Sequence, residues 1–167
     1  MIDLPNTSNY FDFYGLPHSI DIDKALLRQK FLEKSKQYHP DFFSEQPEEL
    51  NKAIEITAFN NKAYKTLNQF YTCAQYLIDI NSSDMNKELN LPQDFLMEMM
   101  DINEEIDVLD NSNKDKIAEV EIHITDYETK ESEQLRELMN LMLYSEAQQS
   151  LLKIKYLERL KQRLKLI

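Results

Sequence analysis

One glycine, Gly15, stands in the whole chain of 167 residues, beside only five prolines. Tight β-turns need residues that tolerate positive φ or preset a bend, so this chain has few places to make them. Its apolar residues recur at helical spacing nearly throughout, and the expected fold class is all-α. Hydrophobic residues at 42% exclude a wholly disordered chain, and charged residues at 29% exclude a membrane protein. No run approaches the roughly 20 apolar residues a span requires. The N-terminus has no basic n-region and no apolar h-region, so no secretory signal is expected and the cytosol is the default. A chain of this length can bury one good core or two small ones, one per half.

The prolines punctuate the first half. A strongly helical run from Asp23 to Tyr38 must end at Pro40, which lacks the amide a continuing helix needs. Asp21 or Asp23 is the candidate N-cap. Leu27, Phe31 and Tyr38 share one stripe of this helix, with the Lys34 stem alongside; Arg28, Leu32 and Lys36 form the roughly opposite face. Like charges stacked at i+4 reduce stability, and Leu32 is exposed between them, so this basic stripe reads as a docking face rather than a merely solvated one. After Pro47 the pattern Ile56, Phe59, Ala63, Leu67, Phe70, Ala74, Leu77 holds one face, with a break expected near Asn68-Gln69. The two helical runs should close as an antiparallel pair with His39-Pro40-Asp41 at the exposed tip. Upstream, Tyr10 to Tyr14 forms one helical turn, closed at Gly15 and stopped by Pro17.

Asn81-Ser82-Ser83-Asp84, then Asn90 and Pro92, make the one convincing linker. The next helix carries two apolar stripes. Phe95, Met99, Ile102, Ile106 and Leu109 form one; Met97, Met100, Glu104 and Val108 form the other, flanked by Leu96 and Asp101. Only one can face its own small bundle, and the acidic neighbours Asp101, Glu104 and Asp107 argue against burial of the second. Exposed, deformable methionines suit a protein-binding surface. Beyond Asn111-Ser112-Asn113 a long helix keeps Ile117, Val120, Ile124, Tyr127, Leu135, Leu138 and Met142 in phase. The last helix places Ala147, Ile154 and Leu157 inward, with Leu152 and Tyr156 on its other face. These stripes and short connections predict a three-helix antiparallel bundle.

Net charge is −11, with 8 basic and 11 acidic residues in 1–80 and 11 and 19 in 81–167. Such a surface argues against nucleic acid as a general partner. The five basic residues between Lys24 and Lys36 suggest instead a small acidic protein partner. Enzyme readings fare poorly. His39 and Asp41 are too few for a metal site, and His18 and His123 belong to other segments. There is no glycine-rich phosphate loop and no nucleophile in a recognisable setting, while Glu104 and Glu105 point apart on a helix. The single cysteine, Cys73, reads as a buried structural thiol.

Taken in order, the entry Tyr10-Phe11-Asp12-Phe13-Tyr14-Gly15-Leu16-Pro17, the helix with Arg28, Lys30, Lys34 and Lys36, and Tyr38-His39-Pro40-Asp41 closely resemble a J domain. Such modules stimulate DnaK-type chaperone ATPases. A J domain followed by an acidic three-helix bundle, opening with Asp94-Phe95-Leu96-Met97-Glu98 and continuing through Asn103-Glu104-Glu105-Ile106-Asp107, resembles the HscB family of iron–sulfur co-chaperones. The resemblance covers nearly the whole chain. It implies a flexible N-terminus at 1–9, a J domain at 10–80 (an antiparallel helical hairpin with short flanking helices), a linker at 81–92 and a three-helix bundle at 93–167. It implies no catalysis and no cofactor, and neither membrane nor nucleic acid as partner. The J domain would engage a DnaK/HscA-type chaperone through His39, Pro40, Asp41, Arg28, Leu32 and Lys36. The bundle would hold an IscU-type iron–sulfur scaffold through Leu96, Met97, Met100, Asp101, Glu104 and Tyr156. Two residues depart from the family pattern. Val108 leaves the scaffold contact less acidic, and Lys34, at a usually apolar position, is expected to soften the helix packing. A different client for the bundle, or a helical adapter in which His-Pro-Asp is incidental, are the alternatives.

Overall fold

The computed structural model describes residues 9–82 and 90–167; the expected loose N-terminus, apart from Asn9, and most of the expected linker lie outside the described residues. The chain divides into two compact units, Met1–Ile80 and Asn81–Ile167, and the described residues form helices and turns without a strand.

In the first unit, α1 (Tyr10–Tyr14) begins at Asn9, which is buried rather than loose, and whose side chain accepts from the Asp12 amide. It closes at Gly15, whose φ of 62° is the left-handed conformation that ends a helix most easily without a Cβ. Its aromatics fill the unit's interior: Tyr10 stacks on Tyr76 at 4.3 Å, and Phe13 meets Phe59 edge-on at 4.9 Å. Helix α2 (Lys24–Gln37) is capped by Asp23, whose carboxylate accepts from the Ala25 and Leu26 amides. A 3₁₀ turn at Pro40–Phe43 leads to α3 (Pro47–Asn68), and α4 (Phe70–Asn81) follows after Gln69 adopts an extended backbone. The break therefore falls where the polar pair Asn68-Gln69 predicts it.

Helices α2 and α3 run antiparallel, since late residues of one meet early residues of the other. Thr57 donates to the Tyr38 carbonyl at 3.1 Å, Phe31 stacks on Tyr64 at 4.3 Å, and Lys24 donates to the Leu67 carbonyl at 3.0 Å. The buried stripe of α3 is Ala53, Ile56, Asn60, Ala63 and Leu67; Phe59 sits at its edge under α1. Lys34 does not loosen this packing as a misplaced charge would. Its ammonium lies 4.3 Å over the Phe13 ring, an attraction that survives partial desolvation. Burial lowers its pKa, with Lys30 adding to the effect and Glu33 opposing it. Cys73 is fully buried in α4, and its thiol is pushed up to about 11 by desolvation.

The second unit holds α5 (Gln93–Asp107), α6 (Lys114–Asn140) and α7 (Tyr144–Leu164). Phe95, Met99, Ile102 and Ile106 of α5 interlock with Val120 and Ile124 of α6 and Leu157, Leu160 and Leu164 of α7. Phe95 meets Tyr156 and Asp107 meets Arg163 across α5 and α7, whereas Glu98 meets Tyr127 and Glu105 lies by Lys116 and Glu119 across α5 and α6, so α5 and α7 run parallel and α6 opposes them. A three-helix bundle with short connections follows. Met142 departs from the expected register. Helix α6 stops at Asn140, Met139 is buried in its place, and Met142 is 71% exposed at φ 58°. The Leu143 amide bonds back to the Leu138 carbonyl at 2.9 Å, a closing motif that needs a left-handed residue just before it. No glycine is present there, and a methionine adopts that conformation instead.

Candidate functional site

The chain presents two candidate surfaces, one in each unit. The first lies at the end of the α2–α3 pair. Pro40 stops α2 and opens the 3₁₀ turn, and His39 caps that turn, its Nδ1 accepting from the Asp41 amide over a long 3.3 Å. An Nδ1 that accepts leaves the imidazole proton on Nε2, facing away from the turn. The side chains of His39 and Asp41 are 54% and 86% exposed, and the carboxylate lies 3.6 Å from Nδ1. A tip of this kind offers one donor and one anion. Phe42, whose ring centroid is 5.9 Å from that of His39, is exposed beside them and was not singled out by periodicity, although its place next to the motif was visible.

The five basic residues of α2 separate once their neighbours are known. Lys24 is spent on the Leu67 carbonyl, Lys34 on the Phe13 ring, and Lys30 lies 3.8 Å from Glu33. Arg28 and Lys36 remain exposed, and with Leu32 (53% exposed) they line a shallow groove together with Ala25, Gln29 and Glu33. A positive rim around an exposed leucine is suited to an acidic protein surface with an apolar centre.

The second surface lies on α5. Met97 and Met100 are 62% and 60% exposed on the same helix whose Phe95, Met99, Ile102 and Ile106 are buried. Leu96, Asp101 and Glu104 are exposed with them, and Val108, the C-cap residue, extends the strip past the helix end. Tyr156 departs from the expectation that it stands clear of the core. It is half-buried, its ring meets Phe95 edge-on at 5.8 Å, and its hydroxyl accepts from Asn103 at 3.1 Å. The reason is geometric: α7 packs against α5 as well as α6, so a residue off the α6-facing stripe of α7 turns towards α5. The sequence sets Arg163 beside Tyr156 on one face of α7 but gives no sign that Asn103 joins them. Tyr156 and Arg163 are two turns apart on α7 and so share a face.

His123 is exposed on α6 in a shallow cleft with Glu105 and Glu119. Among the described residues no group of three or more His, Cys, Asp or Glu side chains could hold a metal ion, and no helix is long and apolar enough to cross a membrane.

A family model described as the HSCB C-terminal oligomerisation domain matches residues 91–165. The Co-chaperone protein HscB homolog of Aliivibrio fischeri (strain MJ11) is 32% identical over 163 residues, covering 92% of this chain and 93% of the relative. That of Aliivibrio salmonicida (strain LFI1238) is 31% identical over the same length. Among solved structures, Chaperone HscB from Vibrio cholerae superposes with a TM-score of 0.76 at 27% identity, covering 94% of this chain and 95% of that one. Human co-chaperone protein HscB superposes at 0.82, over 96% of this chain and 82% of that one; at 23% identity this likeness concerns the fold. The class these define is that of all-helical co-chaperones with an N-terminal J-like domain and a C-terminal helical bundle. Within that class, the chain belongs to the HscB co-chaperone family.

Proposed function

We propose that this protein, without an ATPase of its own, stimulates a DnaK/HscA-type chaperone and delivers an IscU-type iron–sulfur scaffold to it in the cytoplasm. The observation that carries this reading is the two-sided α5. A bundle that packed only on itself would have no reason to hold Met97 and Met100 in water between Asp101 and Glu104. The tip formed by His39, Pro40 and Asp41, with Arg28, Leu32 and Lys36 beside it on α2, supports the chaperone half of the reading.

The mechanism is delivery coupled to triggering. Leu96, Met97, Met100, Asp101, Glu104 and Tyr156 grip the scaffold, while the α2 face steers onto an acidic surface of the ATP-bound chaperone. Asp41 then pairs with a chaperone cation, Pro40 fixes the turn, and the outward N–H of His39 donates to the partner. Hydrolysis occurs in the chaperone and captures the scaffold. No acid–base step falls to this chain.

Steady-state ATP turnover tests the proposal, measured for this protein alone, the chaperone alone, the two together, and all three components. The expected results are background for the first, a rise on mixing, and a further rise with scaffold. ATPase activity that survives repurification of this protein, or a scaffold that adds nothing, overturns it.

A further inference from the structure

The side-chain amide of Asn103 sits between two residues of α7. Its Nδ2 donates to the phenol oxygen of Tyr156 at 3.1 Å and to the Met99 carbonyl, one turn back, at 2.7 Å. Its Oδ1 accepts from Arg163 Nη1 at 2.7 Å, and Arg163 Nη2 bonds the Asp107 carboxylate. Chemistry fixes the orientation of this amide. Turned over, its NH₂ would face a guanidinium, which has only donors, and its oxygen would face the Met99 carbonyl. The chain of bonds therefore runs one way, from Arg163 through Asn103 into the Tyr156 oxygen.

A phenol has a single proton to give. With Asn103 donating to its oxygen, the Tyr156 O–H cannot be returned to that amide and is directed elsewhere. The cationic end of the chain polarises each bond in turn, which makes the phenol a better donor than an isolated one. The ring is held edge-on by Phe95, so the hydroxyl has a fixed position. Asn103 follows Met100 by three residues and is its neighbour on α5, which sets the phenol beside the exposed methionine strip.

We infer that Tyr156 presents its O–H as a hydrogen-bond donor to a main-chain carbonyl of the protein seated on α5, and that Asn103 is the residue that positions it. The inference rests on the proposed scaffold role of this face. A neutral carbonyl is the acceptor that fits, because α5 carries six acidic and no basic side chains and Arg163, the cation of this network, is already paired with Asp107. The exposed Met97 and Met100 supply an apolar contact, and the phenol adds a directional one that fixes the register of the partner.

Titration calorimetry of the full chain against purified IscU-type scaffold tests this, with thermal melting of each variant alongside. Tyr156→Phe keeps the ring on Phe95 and removes only the donor; its melting should hold while affinity falls roughly three- to tenfold, the effect of one neutral hydrogen bond. Asn103→Ala should weaken binding in the tyrosine chain and add nothing in the Tyr156→Phe chain. A purely structural role would give the same loss in both. Wild-type affinity in Tyr156→Phe, or equal losses from Asn103→Ala in the two backgrounds, overturns the inference. If Met97→Ala, Met100→Ala loses the scaffold while Tyr156→Phe does not, only this inference fails. If the unsubstituted chain does not bind the scaffold, the reading of the face fails with it.

Discussion

The hydroxyl of Tyr14 is shared between two oxygens of Asn60, 2.7 Å from the side-chain oxygen and 2.9 Å from the carbonyl, and so pins α1 to the middle of α3. The amide of Asn60 donates onward to the Phe31 carbonyl at 3.2 Å and to Ser35 at 2.9 Å, which brings α2 into the same junction. Burial, with Tyr64 nearby, pushes the Tyr14 hydroxyl far above its usual pKa, so it stays a donor throughout the physiological range. Asn60→Ala leaves the Tyr14 hydroxyl with only the main-chain carbonyl of residue 60 and removes the amide that ties in Phe31 and Ser35. It should cost about 2–3 kcal/mol of stability in urea unfolding, whereas Tyr14→Phe, Asn60→Leu together should recover part of the loss by removing both partners. A single variant within about 0.5 kcal/mol of wild type would show that the junction is not a structural one.

Cys73 gives the first unit an alkaline limit. Its thiol pKa rises from 9.0 to about 11, chiefly through burial, with Lys24 pulling slightly the other way. A raised pKa means that the folded state holds the proton longer than the unfolded one. Its contribution is complete below pH 9 and is lost as pH rises from there to about 11. The loss amounts to roughly 2–3 kcal/mol across that window. Cys73→Ala should therefore show a shallower fall in urea-unfolding stability over the same interval than wild type. Parallel falls in the two proteins would show that Cys73 does not set the limit.

Much of the helix plan was legible because punctuation and phase are local properties. Pro40 stops α2, Asp23 starts it, and Asn68-Gln69 divides α3 from α4, all for reasons carried by the residues themselves. The exposure of Met97 and Met100 was legible too, since a helix with two apolar stripes can bury only one in a small bundle. What stayed hidden depended on which neighbour covers a face. Asn60 and Glu131 lie in phase with buried apolar residues, at 56, 60, 63 and at 124, 131, 135, yet their side-chain types read as exposed. Asn60 is tolerated there by its hydrogen bonds, and Glu131 by Lys153, 2.8 Å away. Tyr156 reads as off the core because the phase of α7 alone does not reveal that α5 covers that face.

The tip on the first unit makes a sharper functional prediction. His39→Gln should abolish chaperone stimulation without lowering the melting temperature, because an exposed side chain at a turn contributes little to the core. Arg28→Glu, Lys36→Glu should weaken docking by roughly five- to thirtyfold at low salt, taking each exposed charge contact at up to about 1 kcal/mol. At high salt the deficit should shrink as screening shortens the reach of those charges. Chaperone ATPase titrations at two ionic strengths check both points. Full stimulation by His39→Gln, or a salt-independent defect in the charge-reversal variant, counts against docking through this face.

The two faces of α5 permit a separation of function that Tyr156 does not. Met97 and Met100 are mostly in water, so Met97→Ala, Met100→Ala should change stability by no more than about 0.5 kcal/mol. Truncating a central, desolvated anchor typically costs ~2 kcal/mol or more, roughly thirtyfold in affinity, and the pair together should remove most scaffold binding. Tyr156→Ala should lose binding as well, but with a lower melting temperature, because it also strips the edge of Phe95 and the partner of Asn103. Basal chaperone stimulation should survive in the methionine variant, while the extra stimulation given by added scaffold vanishes. Loss of folding in that variant would mean that the second stripe is core after all. Normal scaffold binding by a folded variant would mean that the bundle meets its partner elsewhere.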